Sequence, residues 1–260
     1  MSYDINDFSL DFFGLHGKNA VVTGGNSGLG QAFALALAKA GANIYCASYA
    51  DDDGTTQKLI EGCGGKYVFR QCDISADGTP KAVIEDCVRQ LGGIDILVNC
   101  AGICKLNDVL SFDRADWDPM IAINLTAAFE LSHEAAKFMI PQRSGKIINI
   151  CSLFSYLGGL GSPAYAAMKH GLFGFTKAYA DELGQYNIQV NGIAPGYFAT
   201  NITTETRSDP VKNQRVLDHI PANRWGERQD LMGAVVFLAS HASDYVNGTM
   251  VTVDGGYLVR

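Results

Sequence analysis

The sequence predicts an α/β protein, a doubly wound parallel seven-stranded sheet with helices on both faces. Seven short apolar runs recur along the chain, each separated from the next by a segment long enough for a crossover helix. The runs are apolar throughout rather than alternating, which is how strands buried between two helical layers read. The first run ends in a glycine-rich junction and an alanine- and leucine-rich segment, the start of a βαβ unit.

Taken in order, the expected strands are "NAVVTG" from 19, "NIYCAS" from 43, "KYVFRQCD" from 66, "IDILVN" from 94, "KIINICS" from 146, "IQVNGIAPG" from 188 and "MVTVDGG" from 250. A helix is expected from Ser162, a good N-cap followed by Pro163 at the first helical position. That helix carries Tyr165 and Lys169 one turn apart on one face. Residues 197–226 lack a clean period and read as an irregular insertion between the last two strands, placed to act as a substrate lid. Residues 1–16 read as an N-terminal arm on a single dinucleotide-binding and catalytic domain.

Composition narrows the function. With 260 residues, 47% hydrophobic and 18% charged, the chain can build a large core. A net charge of −7 with scattered basic residues argues against a nucleic-acid partner. The opening segment has neither the basic region nor the continuous apolar stretch of a signal or transit peptide, and no run is long enough to span a bilayer. A soluble, cytoplasmic protein with no membrane partner is the expectation. The seven cysteines form no Cys-x-x-Cys pair and read as reduced core residues. "HEAAK" has Lys137 where a zinc-protease helix needs its second histidine, so no metal is expected.

The chemistry begins at "TGGNSGLG". Gly24, Gly28 and Gly30 punctuate the turn from first strand to first helix, with Asn26, Ser27 and Leu29 between them. Glycine there lets the backbone approach a pyrophosphate, which the helix N-terminus attracts. Tyr165 and Lys169 alone prove little, since chance supplies about half a Tyr-x-x-x-Lys match in a chain of this composition.

Together these features are specific: the sequence resembles the short-chain dehydrogenase/reductase family over residues 14–260. Its Gly-x-x-x-Gly-x-Gly spacing, "NCAG" at 99–102 with Cys100 in place of an asparagine, Asn124 in "IAINL", Ser152, Tyr165, Lys169 and "PGYFAT" at 195–200 follow the family order. The resemblance implies a Rossmann fold, a homotetramer, and an alcohol–ketone oxidoreductase with Asn124, Ser152, Tyr165 and Lys169 as its catalytic residues. Proton transfer must accompany hydride transfer, and Tyr165 serves if its pKa is pulled down by the charges of Lys169 and the oxidised nicotinamide. Ser152 would hold the substrate oxygen, and Asn124 would anchor a relay water. Cofactor contacts are implied for Gly24, Asn26, Ser27, Gly28, Leu29, Gly30, Ser48, Asp73, Ile74, Asn99, Ala101, Gly102, Tyr165, Lys169, Pro195, Gly196, Phe198 and Thr200.

The second strand ends in Ser48, where NAD enzymes of the family usually carry an acid. No lysine or arginine follows, however, and Asp51, Asp52 and Asp53 would repel a 2′-phosphate, so NAD is expected over NADP. The C-terminal segment and "INICSLFSYLGG" resemble the branch holding 2-deoxy-D-gluconate 3-dehydrogenase, 2-dehydro-3-deoxy-D-gluconate 5-dehydrogenase and gluconate 5-dehydrogenase. A small sugar acid is therefore the expected substrate, its carboxylate paired with Arg207, Arg215, Arg224 or Lys105. The alternatives are a reductase of ketoses, polyols or 3-oxoacyl groups, and a dinucleotide-sensing protein without catalysis.

Overall fold

The structure, a computed structural model, describes residues 8–159 and 161–260. All seven expected strands form: β1 (Asn19–Thr23), β2 (Asn43–Ser48), β3 (Tyr67–Gln71), β4 (Ile96–Asn99), β5 (Gly145–Ile150), β6 (Ile188–Pro195) and β7 (Met250–Val253). They pair in parallel in the order β3-β2-β1-β4-β5-β6-β7. The order reverses between β1 and β4, and the crevice above the carboxyl ends of strands at such a reversal is where this class of sheet binds ligands.

Helices cover both faces. On one side lie α1 (Gly28–Lys39), α2 (Thr55–Glu61) and α9 (Met232–Ala239), closing a core that includes Val22, Phe33, Ile44, Ile60, Ile148 and Leu238. On the other lie α3 (Thr79–Leu91), α5 (Ala127–Gln142) and α6 (Pro163–Leu183), packed over Val21, Tyr45, Leu97, Leu131 and Ile147. Adjacent residues of one strand thus enter opposite cores, which is why β1 is apolar at every inner position and fully buried. Phe33 has no exposed surface, and burying such a ring contributes about 2–3 kcal/mol.

The carboxyl ends of the strands carry the remaining elements. Helix α4 (Arg114–Ile121) runs into a single π-helical turn, Ala122–Thr126, before α5. The insertion at 197–226 is more ordered than its sequence suggests, because it contains α7 (Thr204–Ser208) and α8 (Pro210–His219). The Asp209 carboxylate caps α8 at the Val211 and Lys212 amides, with Pro210 at the first helical position. Of the expected N-terminal arm, residues 1–7 lie outside the described residues. Its remainder docks on the body: Leu15 is buried, and its amide donates to the Ala40 carbonyl at 2.7 Å.

Candidate active site

The turn after β1 forms a cradle that side chains would destroy. Gly28 has φ +52° with open space where a Cβ would stand, whereas a Cβ on Gly30 would lie 2.2 Å from the Gly24 carbonyl oxygen. The first turn of α1 can therefore fold back tightly on the strand end. Ser27 makes no side-chain capping bond, and among the described residues no side chain hydrogen-bonds the amides of Gly28, Leu29 or Gly30. That arrangement fits a dinucleotide pyrophosphate.

Thr23, which the sequence reading passed over, organises the opposite wall. Its Oγ1 accepts from the Cys100 and Ala101 amides, each at 2.9 Å, and so locks the end of β4 to β1. A threonine placed just before the first glycine was the available signal. Beneath it runs a buried amide ladder. Asn99 Nδ2 donates to Asn149 Oδ1 at 2.8 Å and to Ser132 Oγ at 3.0 Å, and Asn149 Nδ2 donates to Thr176 Oγ1 at 2.9 Å. The ladder ties β4 and β5 to α5 and α6. Asn99 Oδ1 is the one buried side-chain oxygen or nitrogen without a hydrogen-bond partner among the described residues.

Ser152, Tyr165 and Lys169 converge above β5. Ser152 follows the strand directly, its Oγ accepting from the Phe154 amide at 3.2 Å, and its hydroxyl stands close enough to the Tyr165 phenol to lower the phenol's pKa. Phe154 presents an edge to the Tyr165 ring at 5.7 Å. Lys169 is buried, with Nζ donating to the Ile150 carbonyl. Ser162 stands before α6 as expected, but its hydroxyl does not cap the helix and instead reaches the Lys105 carbonyl at 3.5 Å.

Within the protein itself, burial pushes the Tyr165 phenol above its usual range, outweighing the lowering effect of Ser152. Burial likewise holds the Lys169 ammonium below the usual lysine range.

Asn124 lies in the π-turn, and its side chain is fully engaged. Nδ2 donates to the Ile103 carbonyl at 2.7 Å and contacts Met168 Sδ, while Oδ1 accepts from the Ile103 amide at 2.9 Å. The side chain braces the segment after Gly102.

The expected cofactor residues line the same crevice unevenly. Ser48 Oγ donates to Asn26 Oδ1 at 2.6 Å, and Asn26 Nδ2 donates to the Ala50 and Asp51 carbonyls. Asp73 Oδ1 is taken by the Ser75 amide and hydroxyl, and Ile74 is buried. Pro195 ends β6 and Gly196 follows it, but the Phe198 ring is buried in the core and Thr200 caps the turn leading into α7.

The acidic run that favoured NAD is turned to local work. Asp51 accepts from the Asp52 amide, Asp52 from the Tyr67 hydroxyl and Asp53 from the Thr55 amide, each at 2.9 Å.

The substrate candidates separate sharply. Arg224 forms a two-pronged pair with Asp230 at 2.7 and 3.1 Å, and Lys105 pairs with Asp116 at 2.8 Å. Arg207 wraps onto the Thr200 carbonyl at 3.1 Å and the Thr203 hydroxyl. Arg215, on α8, is exposed and belongs to no ion pair or hydrogen bond among the described residues; its positive field reaches Tyr197, just beyond β6.

The family model described as enoyl-(acyl carrier protein) reductase matches residues 24–258. The chain belongs to the short-chain dehydrogenase/reductase family and is an oxidoreductase of that type. It is 71% identical over 98% of both chains to the uncharacterised oxidoreductase YgcW of Escherichia coli K12. It is 46% identical to the 2-dehydro-3-deoxy-D-gluconate 5-dehydrogenase of the same organism, covering 96% of this chain and 99% of that one. Among solved structures, a gluconate 5-dehydrogenase from Burkholderia cenocepacia in complex with NADP and tartrate superposes with a TM-score of 0.92 at 36% identity, over 97% of this chain and 100% of that one. Two further structural relatives also hold NADP. No helix of the described residues is long and apolar enough to cross a membrane, and no group of three metal-ligating side chains occurs among them.

Proposed function

We propose that this protein is an NADP(H)-dependent dehydrogenase/reductase that interconverts a secondary alcohol and a ketone on a small sugar acid. The observation that carries the reading is the convergence of Ser152, Tyr165 and Lys169 beside the glycine cradle at the reversal point of the sheet. Relatives of nearly full length named for deoxygluconate and gluconate substrates support the substrate class. The NADP in solved relatives weighs against the NAD preference expected from the sequence.

When bound, the nicotinamide supplies the hydride acceptor or donor. Tyr165 moves the proton at the substrate oxygen, giving it up as a phenol in reduction and receiving it as a phenolate in oxidation. Ser152 Oγ holds that same oxygen in place. Lys169 supplies positive charge beneath the tyrosine, and Asn124 fixes the segment after β4 against the π-turn. Helices α7 and α8 act as the lid over the substrate. The aromatic outer faces of α5 and α6, where Phe129 stands 44% exposed beside Phe175 and Tyr179, support assembly with further copies of the chain.

The test is a panel of sugar acids and their keto forms, assayed with both nicotinamide cofactors by the absorbance of the reduced form. Turnover of at least one acid with NADP(H) is expected. Activity confined to acyl thioesters or neutral ketoses, with none on any acid, would sink the substrate assignment.

A further inference from the structure

The adenosine end of the crevice poses a charge problem. A 2′-phosphate is a dianion and needs a cation or several donors. The segments at that end, residues 24–30 and 48–54, contain neither lysine nor arginine.

A cation from elsewhere in the fold is tied to this end through side chains of α1 and α2. The 3-10 turn Arg228–Leu231, which leads into α9, packs on the first half of α1, and Arg228 Nη1 donates to Gln31 Oε1 at 3.3 Å. Gln31 Nε2 in turn donates to Thr56 Oγ1 at 2.9 Å and to the Asn26 carbonyl at 3.5 Å. Thr56 Oγ1 bonds the same Asn26 carbonyl, and the Asn26 side chain binds Ser48 and the carbonyls of Ala50 and Asp51. A continuous polar chain thus connects Arg228 to the turn after β2. Gln31 also stands one turn beyond Ser27 on the same face of α1.

The charges around Arg228 leave it free. It belongs to no ion pair among the described residues and is exposed. The acids beside it are engaged: Asp230 takes Arg224, and Glu227 caps the 3-10 turn. Its one side-chain partner, Gln31, is neutral.

We infer that Arg228 supplies the cationic contact to the 2′-phosphate and sets the preference of this enzyme for NADP(H). The inference rests on the NADP(H) reading above.

The experiment measures binding, not turnover. Calorimetric titration with 2′,5′-ADP and with ADP isolates the phosphate contribution, and NADPH and NADH fluorescence repeats it with whole cofactors. In Arg228→Ala, affinity for 2′,5′-ADP and NADPH is expected to fall about 10- to 100-fold, the scale of one charge-assisted pair. Affinity for ADP and NADH stays unchanged, Arg228→Lys retains part of the preference, and Gln31→Glu, which gives Arg228 a carboxylate partner, reduces it with the arginine still present. An equal loss for both ligands in Arg228→Ala would assign the residue to packing and overturn the inference. If the wild type discriminates but Arg228→Ala does so equally well, the Arg228 assignment falls alone. If the wild type fails to prefer 2′,5′-ADP over ADP, the NADP(H) reading falls and takes the assignment with it.

Discussion

Lys169 Nζ lies 5.6 Å from the centroid of the Tyr165 ring, one helical turn below it, and is held there by the Ile150 carbonyl. The pair stands on α6, while the serine that shares the site stands at the end of β5, so the reacting geometry depends on how the helix seats on the sheet. Burial disfavours charge on both side chains at once. The resting protein therefore favours the neutral phenol, the proton-donating form that ketone reduction requires.

Replacing Tyr165 by Phe removes only the phenolic oxygen. Turnover is expected to fall by about 100- to 10,000-fold, the usual contribution of a positioned acid or base. Cofactor binding, read by fluorescence titration, is expected to survive. Retention of a tenth of the wild-type kcat would show that another group moves the proton.

The direction of the Tyr165 shift fixes the pH dependence. A raised phenol is fully protonated at neutral pH, so reduction proceeds there and declines only as pH climbs through the alkaline pKa of the phenol. Oxidation needs the phenolate and rises over that same alkaline range. The two profiles should cross. An oxidative rate that is flat from neutral pH upward would contradict the assignment of Tyr165.

Much of this architecture was legible in the sequence, for identifiable reasons. Strands buried on both faces must be apolar throughout, so all seven stood out, and the close approach of Gly30 to Gly24 admits no side chain. Helices α7 and α8 did not stand out because "PVKNQRVLDH" offers only Val211, Val216 and Leu217 as apolar positions on a half-exposed helix. The cue present was Asp209 before Pro210, a cap and a first-turn residue. For Asp51 to Asp53, composition shows that charge is present, not which way each carboxylate turns. Arg228 could not be linked to Gln31 from the sequence, since 197 residues separate them and only the packing of the turn before α9 on α1 brings them together.

The buried amide ladder offers a stability test. Asn149 is fully buried between Asn99 and Thr176, three residues before Ser152. Asn149→Ala removes two buried hydrogen bonds and opens a small cavity, which should cost about 2–4 kcal/mol. Urea denaturation followed by circular dichroism measures it. Because the ladder joins β5 to α6, kcat should fall as well, with substrate KM changing less. A variant as stable as the wild type would mean that water replaces the lost contacts.

The remaining question concerns the carboxylate of the substrate. Of the four basic residues that the sequence offers, Arg224, Lys105 and Arg207 already have partners within the protein, two of them in ion pairs. Redirecting any of these to a ligand would leave its present partner without that contact, a cost that Arg215 does not carry. Arg215 also sits on α8, the helix proposed as the lid, so that closure would carry its guanidinium toward the substrate as water is excluded. Arg215→Ala is therefore expected to raise KM for a sugar acid about 10- to 100-fold with little change in kcat, the pattern of a contact made equally in ground and transition states. The corresponding alditol or neutral ketose, turned over weakly by the wild type, should be unaffected. Alanine at Arg207, Arg224 or Lys105 should not produce that selective change, although Arg224→Ala is expected to loosen the turn that carries Asp230. If KM rises equally for charged and neutral substrates in Arg215→Ala, the residue seats the lid and does not pair with the acid. The carboxylate partner must then be a backbone or hydroxyl group of the crevice itself.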